Sequence, residues 1–234
     1  MRMIGRLPSD SSGLLRYEIA AGVEAFSTLR NASLPYPVLQ GHQTHGDEVV
    51  VVRDRGMTRE DLEGVDALVT QLPGYAIGVR TADCVPVLLY DPVRRVVAAV
   101  HSGWKGTVRK ISQKTVRVMA DEFGTEASSV LAVIGPSISL ESFQVGLEVV
   151  DRFMDVGIPS SVVVDMGPRE AGSMVGGLHI DLWEANRWLL VSAGVLSENI
   201  LVEGIDTYSR GDLFFSARRE GISCGRIINS IRLV

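Results

Sequence analysis

The sequence predicts an α/β or α+β fold with mixed β-sheets, in one domain covering residues 1–234. Three observations lead there. Short runs rich in β-branched residues, bounded by turn residues, recur along the chain as strands, most clearly Val85–Tyr90 and Val96–Val100 around the turn dipeptide Asp91-Pro92. Two longer stretches carry a helical period instead. Finally, strands and helices alternate only in part, and no repeat, low-complexity tract or linker divides the 234 residues.

In chain order, Leu14–Ile19 alternates weakly as an early strand, and Gly22–Leu29 has the spacing of a short helix or turn. Gly41 and Gly46 bracket His42 and His45 in a loop where backbone can approach a ligand closely. Glu48–Val52 is strand-like, and the polar stretch Arg53–Glu63 is an exposed connection. Asp66–Thr70 and Ala76–Arg80 are strands separated by the turn Pro73-Gly74. The hairpin of Val85–Tyr90 and Val96–Val100 follows, with Cys84 just before its first strand and His101 just after its second. A hairpin returns to where it began, so a thiol and an imidazole meet at one sheet end.

Ser102–Gly106 is loop, with Thr107 as helix N-cap. Val108, Ile111, Thr115, Val118, Met119 and Phe123 then share one helical face, which Gly124 ends. Val130–Ile134 is a buried strand. Ser142 or Gln144 opens a region that turns helical through Glu148–Met154. Val162–Asp165 is a strand, Met166–Gly177 a glycine-rich loop, and Asp181–Ala193 a helix capped by Asp181. Ile200–Val202 and Ile227–Leu233 are strands flanking the polar loop Asp206–Gly225.

Composition narrows the function. At 46% hydrophobic and 22% charged residues the chain is that of an ordinary soluble protein. A net charge of −5 without basic blocks gives nucleic acid no electrostatic footprint. No apolar run approaches the ~18–20 residues that span a bilayer, and the first ten residues lack the apolar core of a secretory signal. With two distant cysteines, Cys84 and Cys224, a disulfide framework is not expected, and a reduced cytoplasm is the simplest location.

The residues that point to chemistry are His45, Cys84 and His101. Two imidazoles and a thiolate suit Zn²⁺, and Cu²⁺ also binds such a set. Three protein ligands leave an open position for water, whose pKa falls to roughly 7 on zinc. Taken singly, each residue also has a bland reading: a small buried thiol, or a hydrogen-bonded loop histidine. His42 is either a fourth ligand or a solvated neighbour, His179 is structural, and Cys224 is a bystander. Asp83 either acts as a base and orients metal-bound water or caps a turn. Gln43, Arg80, Lys105 and Arg218 are candidate substrate-binding residues, since Arg forks onto phosphate or carboxylate and Lys neutralises as a point charge. Trp104 either stacks on an aromatic substrate or packs in the core. Phosphate-loop, dinucleotide-binding, H-E-x-x-H, nucleobase-deaminase and G-x-S-x-G motifs are all missing.

Several blocks together resemble the signature of the YfiH/laccase-domain family: Gln43-Thr-His-Gly46, Asp66-Ala-Leu-Val-Thr70, Arg80-Thr-Ala-Asp-Cys-Val-Pro86 and Val100-His-Ser-Gly-Trp-Lys-Gly106. Ile134–Ile138, Phe143–Glu148, His179–Leu182 and Phe214–Arg219 continue the match in order, from about residue 40 to the end. The resemblance implies stacked mixed sheets with helices outside, similar to the catalytic domain of cytotoxic necrotizing factor toxins. It implies metal ligation, usually of zinc, by His45, Cys84 and His101, and a small-molecule substrate. It also implies phosphorolysis of adenosine, inosine and methylthioadenosine, with deamination of adenosine. Where many members carry cysteine, this chain has Asp206, which brings a carboxylate near the metal or makes a loop hydrogen bond.

Two other functions stay open at this point: a zinc- or cysteine-dependent amide hydrolase acting on a peptidoglycan precursor, and a non-enzymatic module stabilised by zinc. The polyphenol oxidase or laccase activity for which the family was named is rejected, because a multicopper cluster needs more than the four histidines present.

Overall fold

The computed structural model describes residues 4–6, 12–168 and 176–234. In chain order its strands are β1 (Ile4–Arg6), β2 (Leu14–Glu18), β3 (Val23–Thr28), β4 (Leu39–Gln40), β5 (Glu48–Val52), β6 (Val65–Thr70) and β7 (Ile77–Thr81). There follow β8 (Val85–Asp91), β9 (Val96–Ser102), β10 (Leu131–Ile134), β11 (Val163–Asp165), β12 (Leu178–Ile180), β13 (Ile200–Val202) and β14 (Ile227–Leu233). The helices are α1 (Trp104–Val108), α2 (Ile111–Phe123), α3 (Leu147–Asp155), α4 (Leu182–Ser192) and α5 (Ala217–Glu220).

One six-stranded sheet runs β1-β2-β3-β14-β7-β4 and the other β13-β10-β8-β9-β6-β5, while β11 and β12 pair apart from both. Both large sheets mix parallel and antiparallel pairs, as with β4·β7 and β5·β6 against β8·β9 and β3·β14.

The β8–β9 hairpin is buried along its whole length because it is covered on both faces. Successive side chains on a strand point to opposite faces, and each face has its own core. Val85, Val87, Leu89, Val96, Ala98 and Val100 pack with Ile111, Met119, Leu182 and Leu190 of the helices. Leu88, Tyr90, Val97 and Ala99 pack with Leu15, Tyr17, Ile77, Val79 and Ile231 of the other sheet. The result is three layers: sheet, sheet, helices. Each Val or Leu removed from water contributes roughly 1.5–3 kcal/mol. A one-residue slip of β8 on β9 would swap both sets between cores, so packing fixes the register. That register pairs Val85 with Ser102 and Pro86 with His101, leaving Cys84 beside His101 at the sheet end.

Two expectations are corrected. Gly22–Leu29 holds the strand β3, not a helix or turn: it runs between β2 and β14, and Ala25–Thr28 are all buried. Pairing on both sides and burial override a local spacing that looks helical. The helix expected after Thr107 is two helices: α1 already starts at Trp104, Lys110 turns left-handed at φ 60°, and α2 follows. Thr107 is not a cap. Its hydroxyl bonds back to the Gly103 carbonyl at 3.0 Å. The Asp181 cap holds, its Oδ1 accepting the Glu184 amide at 2.9 Å. Residues 169–175 of the predicted Met166–Gly177 loop lie outside the described residues. Among the described residues, no helix is long and apolar enough to cross a membrane.

Candidate metal centre and substrate cleft

His101 is the penultimate residue of β9, inside the strand and not just after it, and is buried. Extending the β6·β9 register by one step places Asp66 opposite it, and the His101 Nδ1 lies 2.7 Å from Asp66 Oδ1. A carboxylate in a fully buried strand costs several kcal/mol unless it is satisfied, and Asp66 is satisfied several times over. Beyond His101 it accepts the backbone amides of Thr44 at 3.1 Å, His45 at 3.1 Å and Gly46 at 2.8 Å. Three successive amides curl around one anion, which bends the loop so that His45 takes φ 61°. The His45 carbonyl is held in turn by Arg109 Nη1 at 3.0 Å. These bonds offset the roughly 1 kcal/mol or more that a left-handed non-glycine residue costs.

Asp66 therefore ties together two residues far apart in sequence. The His45 and His101 rings meet edge to face with centroids 4.9 Å apart. Their nitrogens and the Cys84 Sγ lie within 4.8 Å of one another, close enough for one ion to be shared. With its Nδ1 proton donated to Asp66, His101 turns Nε2 toward the cluster, as metal-ligating histidines do. Gly103 keeps the space open: a Cβ there would sit 2.7 Å from Cys84 Sγ and 3.4 Å from His45 Cδ2. The three donors thus fit a borderline-soft transition metal ion.

The electrostatics agree with the geometry. Burial pushes the Cys84 thiol up, but the neighbouring His101 and His45 outweigh it and bring it down to about 6. Burial disfavours the His101 imidazolium, yet Cys84 and Asp66 raise it to about 9. Burial likewise pushes the Asp66 carboxyl up, and the His101 and backbone hydrogen bonds hold it below the usual carboxylate range. The pair therefore favours the Cys84 thiolate, and a metal cation bound here would take the place of the His101 proton facing it.

The cluster opens into a cleft of about 770 Å³. Trp104, Ile138 and Phe143 line it, as do Arg59, Arg80, Arg218, Arg226, His42 and Gln43. The Gln43 amide clamps the Arg80 peptide at both ends, Nε2 to the carbonyl and Oε1 from the amide, each at 2.8 Å. Arg80 is half-buried. Desolvation first, then the charges of Arg59 and Arg226, push its pKa down.

Asp83 also faces the cleft, but its carboxylate is occupied: Oδ1 accepts the Thr207 hydroxyl at 2.7 Å and Oδ2 the Arg218 amide at 2.6 Å. It secures the start of α5. The Arg218 guanidinium lies 5.5 Å from the Phe143 ring centre and reaches the Gln144 carbonyl at 3.2 Å. Lys105 does not line the cleft; its exposed ammonium lies 5.7 Å from the Trp104 ring.

His42 is exposed and paired with Glu63. His179 is buried, its Nδ1 2.8 Å from the Leu140 carbonyl. Asp206 stays out of the cluster and closes a loop instead, accepting from the Ser142 hydroxyl at 2.7 Å and the amides of Ser139 at 3.1 Å and Tyr208 at 3.0 Å. Cys224 is half-buried, its Sγ 3.4 Å from Arg226 Nη1.

Asp66, Arg59, Arg109 and Arg226 take part here without having been singled out from sequence. A signal existed for Asp66, a carboxylate opening the apolar run D-A-L-V-T. None existed for the arginines, which sit in polar loops far apart in the chain.

Comparison with known proteins places the chain among relatives. A family profile described as "Multi-copper polyphenol oxidoreductase laccase" matches residues 20–234. A protein of Bacteroides thetaiotaomicron named purine nucleoside phosphorylase is 41% identical over 227 residues, covering 91% of this chain and 82% of its own. A protein from an unknown prokaryotic organism, named adenosine deaminase RL5, is also 41% identical, over 81% of this chain and 72% of its own. The crystal structure of the Bacillus licheniformis hypothetical protein YfiH superposes with a TM-score of 0.86 at 28% identity, covering 98% of this chain and 99% of that one.

Proposed function

The chain belongs to the multi-copper polyphenol oxidoreductase laccase family, and on that premise we propose that it is a zinc-dependent purine nucleoside enzyme. It phosphorolyses adenosine, inosine and methylthioadenosine to the free base and the sugar 1-phosphate, and it deaminates adenosine. The observation that carries this reading is one cleft holding the three metal donors, aromatic and aliphatic walls, and several arginines. The relatives named for these two reactions, each 41% identical, support it. The oxidoreductase wording of the family name does not carry over. Of the four histidines, His42 is paired with Glu63 and His179 is bound to backbone, which leaves two for metal.

In phosphorolysis a phosphate oxygen forms a bond to the anomeric carbon, the glycosidic C–N bond breaks, and its electron pair leaves with the protonated purine. The chain's part is to hold two reactants in line, which is worth several kcal/mol of barrier. Trp104, Ile138 and Phe143 offer apolar faces to the base. Arg80, fixed by Gln43, and Arg218, fixed by Asp83, bring positive charge toward phosphate. His45, Cys84 and His101 hold zinc, with Asp66 keeping His101 in the ligating tautomer. Bound there, zinc supplies Lewis acidity. The cluster contains only these three ligands among the described residues, the ligand number of a catalytic zinc and not of a closed structural one.

The Cys84 thiolate beside His101 favours a second reading, an amide hydrolase with Cys84 as nucleophile and His101 as base. One experiment separates them. Zinc-replete protein is given inosine or adenosine with and without phosphate, next to His101→Ala, and products are resolved by chromatography. Phosphate-dependent release of hypoxanthine or adenine, lost in the variant, is expected. Neither base release nor deamination by the zinc-replete protein overturns the nucleoside reading.

A further inference from the structure

We propose that Arg59, Arg80 and Arg226 form an oxyanion subsite of the cleft that holds the attacking inorganic phosphate, with Lys105 outside it. This rests on the phosphorolysis reading and adds where its second substrate binds. The three guanidinium groups come from three separate stretches: the loop after β5, the end of β7 and the loop before β14. All three line the same cleft.

Arg59 and Arg80 are anchored through their backbone and Arg226 through its guanidinium, and among the described residues none is paired with an acid. Arg59 precedes a turn whose Leu62 is fully buried, and the Leu62 amide bonds to the Arg59 carbonyl at 3.1 Å. The same turn is stitched to the backbone of His42 by His42 N to Leu62 O at 2.9 Å and Gly64 N to His42 O at 3.0 Å. Arg80 is clamped by Gln43 at both peptide groups. Arg226 is locked by its own loop, donating Nη2 to the Ile222 carbonyl at 2.7 Å and Nη1 to that of Gly225 at 3.0 Å.

Among the described residues, no carboxylate pairs with any of the three guanidinium groups. The one acid that lines the cleft among the described residues, Asp83, is occupied by Thr207 and the Arg218 amide. Cations gathered without counterions repel one another, and a multiply charged oxyanion relieves that repulsion. Guanidinium forks match the tetrahedral oxygens of phosphate, and rigid anchoring reduces the ordering cost of binding it. The placement also suits the reaction. The four residues from Arg80 to Cys84 span at most ~14 Å, so phosphate on Arg80 and a nucleoside at the metal cluster come within reach of each other.

The test measures the phosphate KM of phosphorolysis and, independently of turnover, the binding of inorganic phosphate to zinc-loaded protein by calorimetry. Arg59→Ala is the primary variant, since among the described residues Arg59 makes no side-chain bond that folding would miss. Arg226→Lys keeps the charge but loses the fork. Arg59→Ala is expected to weaken phosphate binding and raise its KM about tenfold or more, with nucleoside KM changed much less and zinc content and Tm retained. Arg226→Lys is expected to show a smaller shift in the same direction. A phosphate Kd in Arg59→Ala within twofold of the parent overturns the assignment. So does an equal loss of adenosine deamination, which consumes water and not phosphate.

If the parent turns over no nucleoside, the function reading fails while calorimetry still decides the subsite. An AMP arm distinguishes the source of the phosphate. Competition by AMP with inorganic phosphate, both weakened by Arg59→Ala, fits the subsite, whereas binding of AMP with none of inorganic phosphate overturns free phosphate as its ligand.

Discussion

Replacing Asp66 by Asn removes the group that couples the two histidines of the metal cluster. The substitution is close to isosteric, so cavity effects are small and the loss is electrostatic. Asp66 accepts four bonds: His101 Nδ1 at 2.7 Å and the amides of Thr44, His45 and Gly46 at 2.8–3.1 Å. An asparagine side chain has one oxygen for these donors and turns an NH₂ toward the rest. At least one buried donor then faces another, at a cost of about 1–3 kcal/mol, and the charge assistance of the remaining bonds is lost as well.

We expect Asp66→Asn to destabilise the fold by about 3 kcal/mol, which lowers Tm by roughly 6–12 °C for a chain of this size. The tautomer control of His101 and the curl of the His45 loop go together, so zinc affinity falls about 10–100-fold. Competition with a chromogenic chelator gives the affinity, and calorimetry gives the Tm. Zinc affinity within twofold of the parent would refute the claim that Asp66 organises the ligands, whatever the Tm does.

Gly103→Ala places a Cβ 2.7 Å from Cys84 Sγ, and zinc per chain measured by atomic emission should drop well below one while far-ultraviolet circular dichroism stays native. Lys105→Ala should leave the phosphate KM within twofold, because the ammonium lies outside the cleft; a tenfold rise in steady-state assays would return it to the site. Glu220, held by Arg30 first, is depressed to about 2 and also bonds Arg219. A carboxyl depressed on folding stabilises above its unfolded pKa near 4.5 and loses that contribution as pH falls toward 2. Parent and Glu220→Gln should therefore differ by about 1 kcal/mol at pH 6, a figure reduced for solvent screening, and converge near pH 2 in urea titrations.

How much of this was written in the sequence differs from element to element. The β8–β9 hairpin was legible because two apolar runs and an Asp-Pro turn are local signals, and a hairpin fixes its own ends. Cys84 and His101 meet for that reason alone. The helix α4 was legible from its period and its Asp181 cap. The strand β3 was not, since what makes it a strand is its pairing with β14, two hundred residues away, from Ser27↔Asn229 to Val23↔Leu233.

Site residues divide the same way. The sequence by itself determined the chemistry on offer: two imidazoles and a thiol in strand-end and loop positions, and a histidine count too small for multicopper chemistry. Tertiary structure alone decided which groups are free to use that chemistry. It turned Asp83 and Asp206 toward loop hydrogen bonds, placed Lys105 outside the cleft, and brought Arg59 and Arg226 beside Arg80. Residue type sets what a side chain can do, but burial and partners set what it is left free to do. Both depend on strands and loops that the chain brings together only on folding.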